Sequence, residues 1–425
     1  MKHFCNFCLN ELSHTFLDLG NSPIANNYRT AEQMDLPEPY FPLHLYICSS
    51  CLLVQLPPSI TKEAIFHKDY AYFSSYSTTW LAHSKNYATQ IIDRFNLAKE
   101  SLVIEVASND GYLLQYFKEE NIPVLGIDPA ESVATAAQEK GIPTLVEYFG
   151  IMLAQELKVS GKQADLMVAN NVLAHVPDLN DFVAGFKVAL KPCGIATFEF
   201  PHLLALIENK AFDTIYHEHY SYFSFPTVEK IFAHHGLTIF DVEELTTHGG
   251  SLRIFVRHTE NNSQSLSDRV EKLKNKYHHA HLDTLEGYAN FQSQVQLVKR
   301  SLLATLITLK NDNKAIVGYG APAKGNTLLN YCGIRTDFLE YTVDRNPHKQ
   351  GMYLPGTQIP IKPVEELFKT KPDCILILPW NLKEEIIMQL QEICSWSPLY
   401  LTPFSIENSY DVPRTHLARS ISHNF

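Results

Sequence analysis

The sequence predicts an α/β protein in three parts: a small N-terminal metal-binding module, a central seven-stranded Rossmann-like domain, and a second Rossmann-like domain toward the C-terminus. Two Cys-x-x-Cys pairs, Cys5-Asn-Phe-Cys8 and Cys48-Ser-Ser-Cys51, predict the first part. A strand, a small-residue turn, a helix and a second strand ending in an acid run from 102 to 128 and predict the second. The same order recurs from 315 to 344 and predicts the third. At 425 residues the chain exceeds one ordinary core, so two or three domains are expected. The order of motifs and elements places them at 1–75, 76–262 and 313–410, with a helical connector at 263–312 and a tail at 411–425.

Hydrophobic content of 45% against 19% charged residues describes a well-buried globular chain. The net charge of −11, with acids and bases interspersed, argues against a nucleic-acid groove. The N-terminus has no apolar signal-peptide core, and no apolar run approaches the roughly 20 residues of a membrane span. The expectation is a soluble, cytoplasmic monomer with neither nucleic acid nor membrane as partner.

Four of the eight cysteines form the two pairs, and Cys193, Cys332, Cys374 and Cys394 stand singly. Each pair is a knuckle with two thiolates on one side of a turn. Cys5, Cys8, Cys48 and Cys51 thus offer four soft ligands, suited to a closed tetrahedral Zn²⁺ site with no position left for water. The strand-like runs at 17–20 and 43–47 supply little core, so the metal substitutes for one. A redox dithiol would be a single pair near a βαβ unit.

Residues 69–77 read Asp-Tyr-Ala-Tyr-Phe-Ser-Ser-Tyr-Ser, before a helix at 78–95. Tyr70 and Tyr72 either pack or line a polar pocket, since a phenol offers both area and a hydrogen bond. The central unit begins with a buried strand at 102–106 that carries Glu105. Its turn is Ala107-Ser108-Asn109-Asp110-Gly111, a helix covers 112–120, and the strand 124–128 ends in Asp128. Such a half-unit binds a nucleotide group, with the acid placed to accept from ribose hydroxyls. The turn lacks Gly-x-Gly-x-x-Gly, and Asn109 and Asp110 are poor neighbours for a pyrophosphate. A cofactor with adenosine and no phosphate fits better, namely S-adenosylmethionine. Strands at 164–169 and 195–200 continue the sheet, and Asn171 and His175 follow the first of them over the cofactor pocket.

Residues 212–224 then read Phe-Asp-Thr-Ile-Tyr-His-Glu-His-Tyr-Ser-Tyr-Phe-Ser, with one Asp, one Glu, two His and three Tyr. That is nearly a full kit for moving a proton. It follows a strand ending at Pro201, on the side where open α/β sheets bind ligands. A helix at 227–235 stops at Gly236, and strands at 237–242 and 252–257 form a terminal hairpin. Residues 264–312 have charged helical spacing and bridge to the last domain. There the turn Gly318-Tyr-Gly320-Ala-Pro-Ala-Lys324-Gly-Asn326 opens a helix. It is not a Walker loop, because its Lys precedes the Gly, yet it is sized for a phosphate group. Strands at 339–343, ending before Asp344, and at 375–378 complete a Rossmann-like unit. Residues 405–425 are polar and expected to fray.

In this order, the two knuckles, the 105–111 turn, the His-Glu-His stretch and the 318–327 turn resemble the S-adenosylmethionine-dependent C-methyltransferases of nucleotide-linked 4-keto deoxysugars. The resemblance covers nearly the whole chain, and Tyr216-His-Glu-His219 with Tyr222 is its most specific part. It implies a class I methyltransferase domain in the middle, His219 as catalytic base, and Glu218, Tyr216 and Tyr70 beside it. It implies that Glu105, 107–111, Asp128, Asn171 and His175 hold the cofactor. Tyr72, Tyr222, Gly320, Lys324 and Asn326 would then bind substrate. Ala107 departs from the Gly common at that position, which narrows the backbone approach slightly. The implied substrate is a 4-keto-6-deoxyhexose on dTDP, with GDP and CDP the alternatives, methylated at C3. C5 methylation also occurs among such enzymes. A nicotinamide-dependent sugar-nucleotide oxidoreductase is the competing reading, and it predicts a full Gly-x-Gly-x-x-Gly turn that 107–111 lacks and 318–323 half matches. A catalytic metal on His217 and His219 lacks an evident third ligand.

Overall fold

A computed structural model describes residues 2–58, 60, 73–393 and 395–404. Tyr70, Tyr72, Cys394 and the tail at 405–425 lie outside the described residues. The chain forms two compact units. One takes in the residues up to Leu17, His44–Leu206 and His217–Ala289. The other has Asp18–Leu43, Ile207–Tyr216 and the described residues from Asn290 onward.

The chain opens with β1 (His14–Ser22), β2 (Phe41–Ile47) and β3 (Val54–Gln55). Helix α1 (Thr78–Phe95) has the bounds its sequence predicts. The Ser77 hydroxyl accepts from Trp80 N at 3.2 Å to cap its start, and Asn96 ends it in a left-handed conformation at φ 48°. Its inner face is Ser84, Tyr87, Ala88 and Ile91, the helical spacing that buries one stripe.

The central sheet follows. Its first half comprises β4 (Val103–Val106), α2 (Leu114–Glu119), β5 (Val124–Ile127), α3 (Glu131–Glu139), β6 (Thr144–Leu145) and α4 (Ile151–Val159). Next come β7 (Ala164–Asn170), α5 (Leu179–Ala189), β8 (Leu190–Pro201) and α6 (Leu203–Glu208). The short β9 (Ser221–Tyr222) leaves this sheet and joins the N-terminal one, in the order β1-β2-β3-β9. After α7 (Phe225–His234), strands β10 (Leu237–Leu245) and β11 (Ser251–His258) close the seven-stranded sheet. Its order is β10-β11-β8-β7-β4-β5-β6, with β11 antiparallel to both neighbours. The parallel strands are buried on both faces, hence their nearly unbroken apolar runs. Register sets Glu105 opposite Gly126, Asn170 opposite Glu199, and Glu199 opposite Arg253, so polar residues gather at one edge of the sheet.

The stretch at 212–224 is less simply placed than its sequence suggests. Helix α6 separates it from β8, and the stretch itself opens with a 3₁₀ turn at Phe212–Thr214. Its first part falls in the second unit and its part from His217 in the first.

The predicted connector contains α8 (Asp268–His279), in the first unit, and α9 (Phe291–Asn311), in the second. The second unit then runs through β12 (Ile316–Tyr319), α10 (Ala323–Cys332), β13 (Thr342–Val343), β14 (Ile361–Lys362), α11 (Glu366–Thr370), β15 (Cys374–Ile377), α12 (Lys383–Ile393) and β16 (Leu399–Leu401). These five strands are parallel, in the order β14-β13-β12-β15-β16. The strand expected at 339–343 is shorter because the amides of Phe338 and Leu339 turn back onto Arg335 O. Among the described residues no helix is long and apolar enough to cross a membrane.

Candidate active site

The two knuckles have one geometry. Leu9 N donates to Cys5 O and Leu52 N to Cys48 O, and both leucines hold positive φ, 61° and 65°. The four sulfur atoms lie within 4.8 Å of one another, Cys5 and Cys51 at 3.5 Å and Cys8 and Cys48 at 3.4 Å. Zinc–thiolate bonds of about 2.3 Å give a tetrahedron with sulfur–sulfur edges of about 3.8 Å. Four soft ligands at this separation fit a closed zinc site.

At the tip of β4, the turn 107–111 holds three left-handed residues, Ala107 (φ 58°), Asn109 (φ 49°) and Gly111 (φ 76°). Left-handed backbone at an alanine costs about 1–2 kcal/mol, so neighbours must enforce it. Several are among the described residues. Asn109 Oδ1 accepts from Ser74 N at 2.9 Å, and Lys140 Nζ reaches Asp110 O and Oδ2 at 2.9 and 3.0 Å. Asp128 accepts from Asn109 N and Ala130 N, each at 2.9 Å, leaving one lone pair on each oxygen for a ligand. Burial pushes Asp128 up to about 6 against those two amides.

Under this turn several buried acceptors make no hydrogen bond among the described residues: both Glu105 oxygens, Asp110 Oδ1, and the side-chain oxygens of Asn170 and Asn171. Glu105 is fully buried, with the Tyr112 phenol beside it, and its carboxyl is pushed well above the ordinary range by burial. A buried carboxyl with only the Tyr112 phenol near it is costly to ionise. A ligand bringing an ammonium and hydroxyls supplies the donors this group lacks, which is the chemistry of the cofactor's amino-acid and ribose parts.

Ser108 serves differently. Its side chain lies against Gly126 of β5, where an added Cβ would meet Ser108 Oγ at 2.5 Å and Thr144 Oγ1 at 2.9 Å. Gly126→Ala is therefore expected to displace the turn, at about 1–3 kcal/mol of stability and at least tenfold in S-adenosylmethionine affinity. Denaturant unfolding and calorimetric titration check this; wild-type values in both would mean that Ser108 does not fix the turn.

The His-Glu-His residues of the first unit approach this cradle through the 3₁₀ turn at Leu173–His175. Tyr220 N donates to Ala174 O at 2.8 Å, and the His175 and His219 rings meet edge to face at 4.7 Å. The Tyr222 ring is 6.0 Å from His219, again edge-on. His217, Glu218 and His219 are all buried. Burial pushes His175 down to about 4, so it stands beside His219 as a neutral imidazole. The structure thus brings His175, Glu218, His219 and Tyr222 together at the β7 edge of the cradle. Tyr216 belongs to the second unit.

In that second unit the Gly-rich turn has structural reasons of its own. Gly320 (φ 88°) packs so closely on Pro379 that a Cβ would meet Pro379 Cδ at 2.6 Å. Asn326, read from the sequence as a substrate contact, donates through Nδ2 to Ala25 O at 2.6 Å. Lys324 Nζ donates to Asn381 Oδ1 at 2.6 Å and lies 5.0 Å from the Trp380 ring centroid. Trp380 Nε1 donates to Asp213 Oδ2 at 2.7 Å. Burial pushes Asp213 up to about 6 and Lys324 down. Asp213 is the one Asp of the 212–224 stretch, and Trp380 and Asn381 are members of this cluster that the sequence did not single out.

A second missed cluster lies at the end of β8. Glu199 Oε2 accepts from Arg253 Nη2 at 2.7 Å and bonds His83 Nε2 at 2.9 Å, while Thr247 Oγ1 donates to Glu199 Oε1 at 2.9 Å. The Arg253 guanidinium covers the Tyr87 ring at 4.5 Å, and Trp80 stacks on His83 at 4.9 Å. A lone acid in the apolar run Ala196-Thr-Phe-Glu-Phe was the available signal, since a buried charge needs a partner.

Three family models match the chain. One described as "C-methyltransferase C-terminal domain" covers 246–404, one described as "Methyltransferase domain" covers 80–242, and one described as "Putative zinc binding domain" covers 5–66. The C-methyltransferase NovU of Streptomyces niveus is 30% identical over 399 residues, 94% of each chain. Among solved structures, magnesium protoporphyrin IX methyltransferase (ChlM) from Synechocystis PCC 6803 with bound SAH has 17% identity and a TM-score of 0.34, over 41% of this chain and 82% of its own. The PH0226 protein of Pyrococcus horikoshii OT3 has 14% identity and a TM-score of 0.37, over 47% and 100%. Structural similarity this low supports no functional argument.

Proposed function

Since this chain belongs to the S-adenosylmethionine-dependent C-methyltransferases, with zinc as its structural metal, we propose that it methylates C3 of a nucleotide-linked 4-keto-6-deoxyhexose, with dTDP the favoured nucleotide. The observation that carries the reading is the buried His219, set edge-on to a neutral His175 beside a cradle of acceptors awaiting donors. The sugar and its nucleotide rest on the resemblance of Tyr216-His-Glu-His219 and Tyr222 to the ketosugar enzymes.

A carbon next to a ketone becomes nucleophilic when it loses a proton. In this reading His219 takes the C3 proton, the C3–H electrons move into the ring, and the C4 carbonyl becomes an enolate. Tyr216 and Tyr70 are the proposed donors to the enolate oxygen. Glu218 orients His219 and supports the charge the imidazole gains. Glu105, Asp128 and the 107–111 turn hold the cofactor, which supplies an electrophilic methyl group to the carbon nucleophile. Holding both reactants in one pocket supplies much of the acceleration.

The test is incubation with a dTDP-4-keto-6-deoxyhexose in D₂O, with and without S-adenosylmethionine, read by mass spectrometry. One added methyl mass only with the cofactor, and one deuterium at C3 without it, are expected. Uptake at C5 would move the site, methylation of a GDP or CDP ketosugar alone would change the nucleotide, and no change on any of the three would refute the substrate class.

A further inference from the structure

Two hydrogen-bonded residues cannot hold a strand in place, yet β9, starting two residues after His219, consists of Ser221 and Tyr222 alone. The Tyr220 amide ties it to Ala174 O and Phe223 O accepts from Leu203 N, and the strand pairing itself comes from the zinc module. Val54 pairs with Tyr222, Gln55 with Ser221, and Leu56 N donates to Tyr220 O at 2.9 Å. Three consecutive residues leaving the second knuckle therefore fasten the three that follow His219. A second tie lies further on, where Thr227 Oγ1 donates to Cys51 O at 3.1 Å.

Gln55 differs from its neighbours in what its side chain does. It is 1% exposed. Its Oε1 accepts from Asn6 N at 2.8 Å, inside the first knuckle, and its Nε2 donates to Cys5 Sγ at 3.2 Å and to Leu53 O at 3.3 Å. An amide is suited to this place, since it presents an acceptor to a backbone N–H and a donor to a thiolate at once. Leucine offers neither. Glutamate keeps the acceptor, loses the donor, and brings a negative charge to the sulfur.

We propose that Gln55 is a positioning residue that couples the zinc thiolates to His219. The metal fixes the knuckles, the Gln55 amide ties Cys5 and Asn6 to β3, and the β3–β9 pairing carries that constraint to the residues beside the base. The proposal rests on His219 as the base for its effect on turnover, but not for its effects on metal and backbone.

The test uses the zinc-loaded, full-length Gln55→Leu variant. Partners outside the ligand set typically change metal affinity or activity 10–100-fold. The variant is expected to release zinc to a chromophoric chelator at least tenfold faster than wild type. In the cobalt-substituted protein its thiolate-to-metal charge-transfer band is expected to shift. Amides of 220–222 should exchange hydrogen faster while β4 and β5 keep their protection, and kcat should fall with KM for S-adenosylmethionine unchanged. Zinc release and exchange within twofold of wild type would overturn the proposal. Gln55→Glu retains the Asn6 bond and the side-chain size, so it serves if the leucine variant fails to fold. It too should release zinc faster, and wild-type release from it would overturn the part given to the N–H···S bond. Neither zinc release nor exchange needs a sugar, so failure here leaves the C-methylation reading standing, and failure of that reading leaves these readouts intact.

Discussion

His219→Asn is expected to lower kcat for methyl transfer by about 10²–10⁴-fold, the usual contribution of a positioned general base. The asparagine keeps a polar side chain but cannot take a proton near neutral pH. The fold should tolerate it, because the segment is also fastened through the Tyr220 amide, β9 and Thr227. S-adenosylmethionine affinity should stay within about threefold, since the residues proposed to hold it lie in 105–111 and at Asp128. Cofactor-independent deuterium uptake should vanish with turnover. Retention of both turnover and uptake would end the assignment. Loss of turnover with full uptake would move the base elsewhere and leave His219 with the later methyl-transfer step.

The second large effect is on stability. Arg253→Met is expected to cost about 3–5 kcal/mol, because it leaves a fully buried carboxylate short of its charged partner. Burial alone would raise Glu199, but His83 and Arg253 hold it down at about 2. A carboxyl held below its ordinary 4.5 stabilises the fold fully above that pH and loses the contribution as pH falls toward 2. Urea titrations at pH 7, 4 and 3 should show the wild type losing its margin over Arg253→Met at the acid end. The double variant Glu199→Gln/Arg253→Met should recover most of the loss at pH 7, since no bare charge then remains. A loss below about 1 kcal/mol in the single variant would mean that water or His83 compensates Glu199.

Much of the molecule was legible in local sequence. The Cys-x-x-Cys spacings specify the zinc ligands because a knuckle is a local structure, closed by hydrogen bonds four residues apart. Helix α1 has the bounds expected of it, and its ends are local: Ser77 caps the start and Asn96 the end. Six of the seven strands were readable because strands buried on both faces need apolar runs between turn residues, and the two-residue β6 was not. The strand at 339–343 was overextended because apolar residues also fill a turn whose amides bond elsewhere.

What the chain dictates by itself, then, is what depends on neighbours a few residues away: the metal ligands, the order of strands and turns, and the crowding of His, Glu and Tyr between 216 and 222. Tertiary structure alone decides which distant side chains share a charge or a strand. It takes three residues from separate strands and helices to hold Glu199, and it brings Trp380 to Asp213 across a sequence separation of 167. It also sets Gln55 between Cys5 and the strand beside His219. Hydrogen bonds and buried charges are satisfied through space, and the register of β3 on β9 or of β8 on β11 leaves no trace in the residues of either strand taken alone.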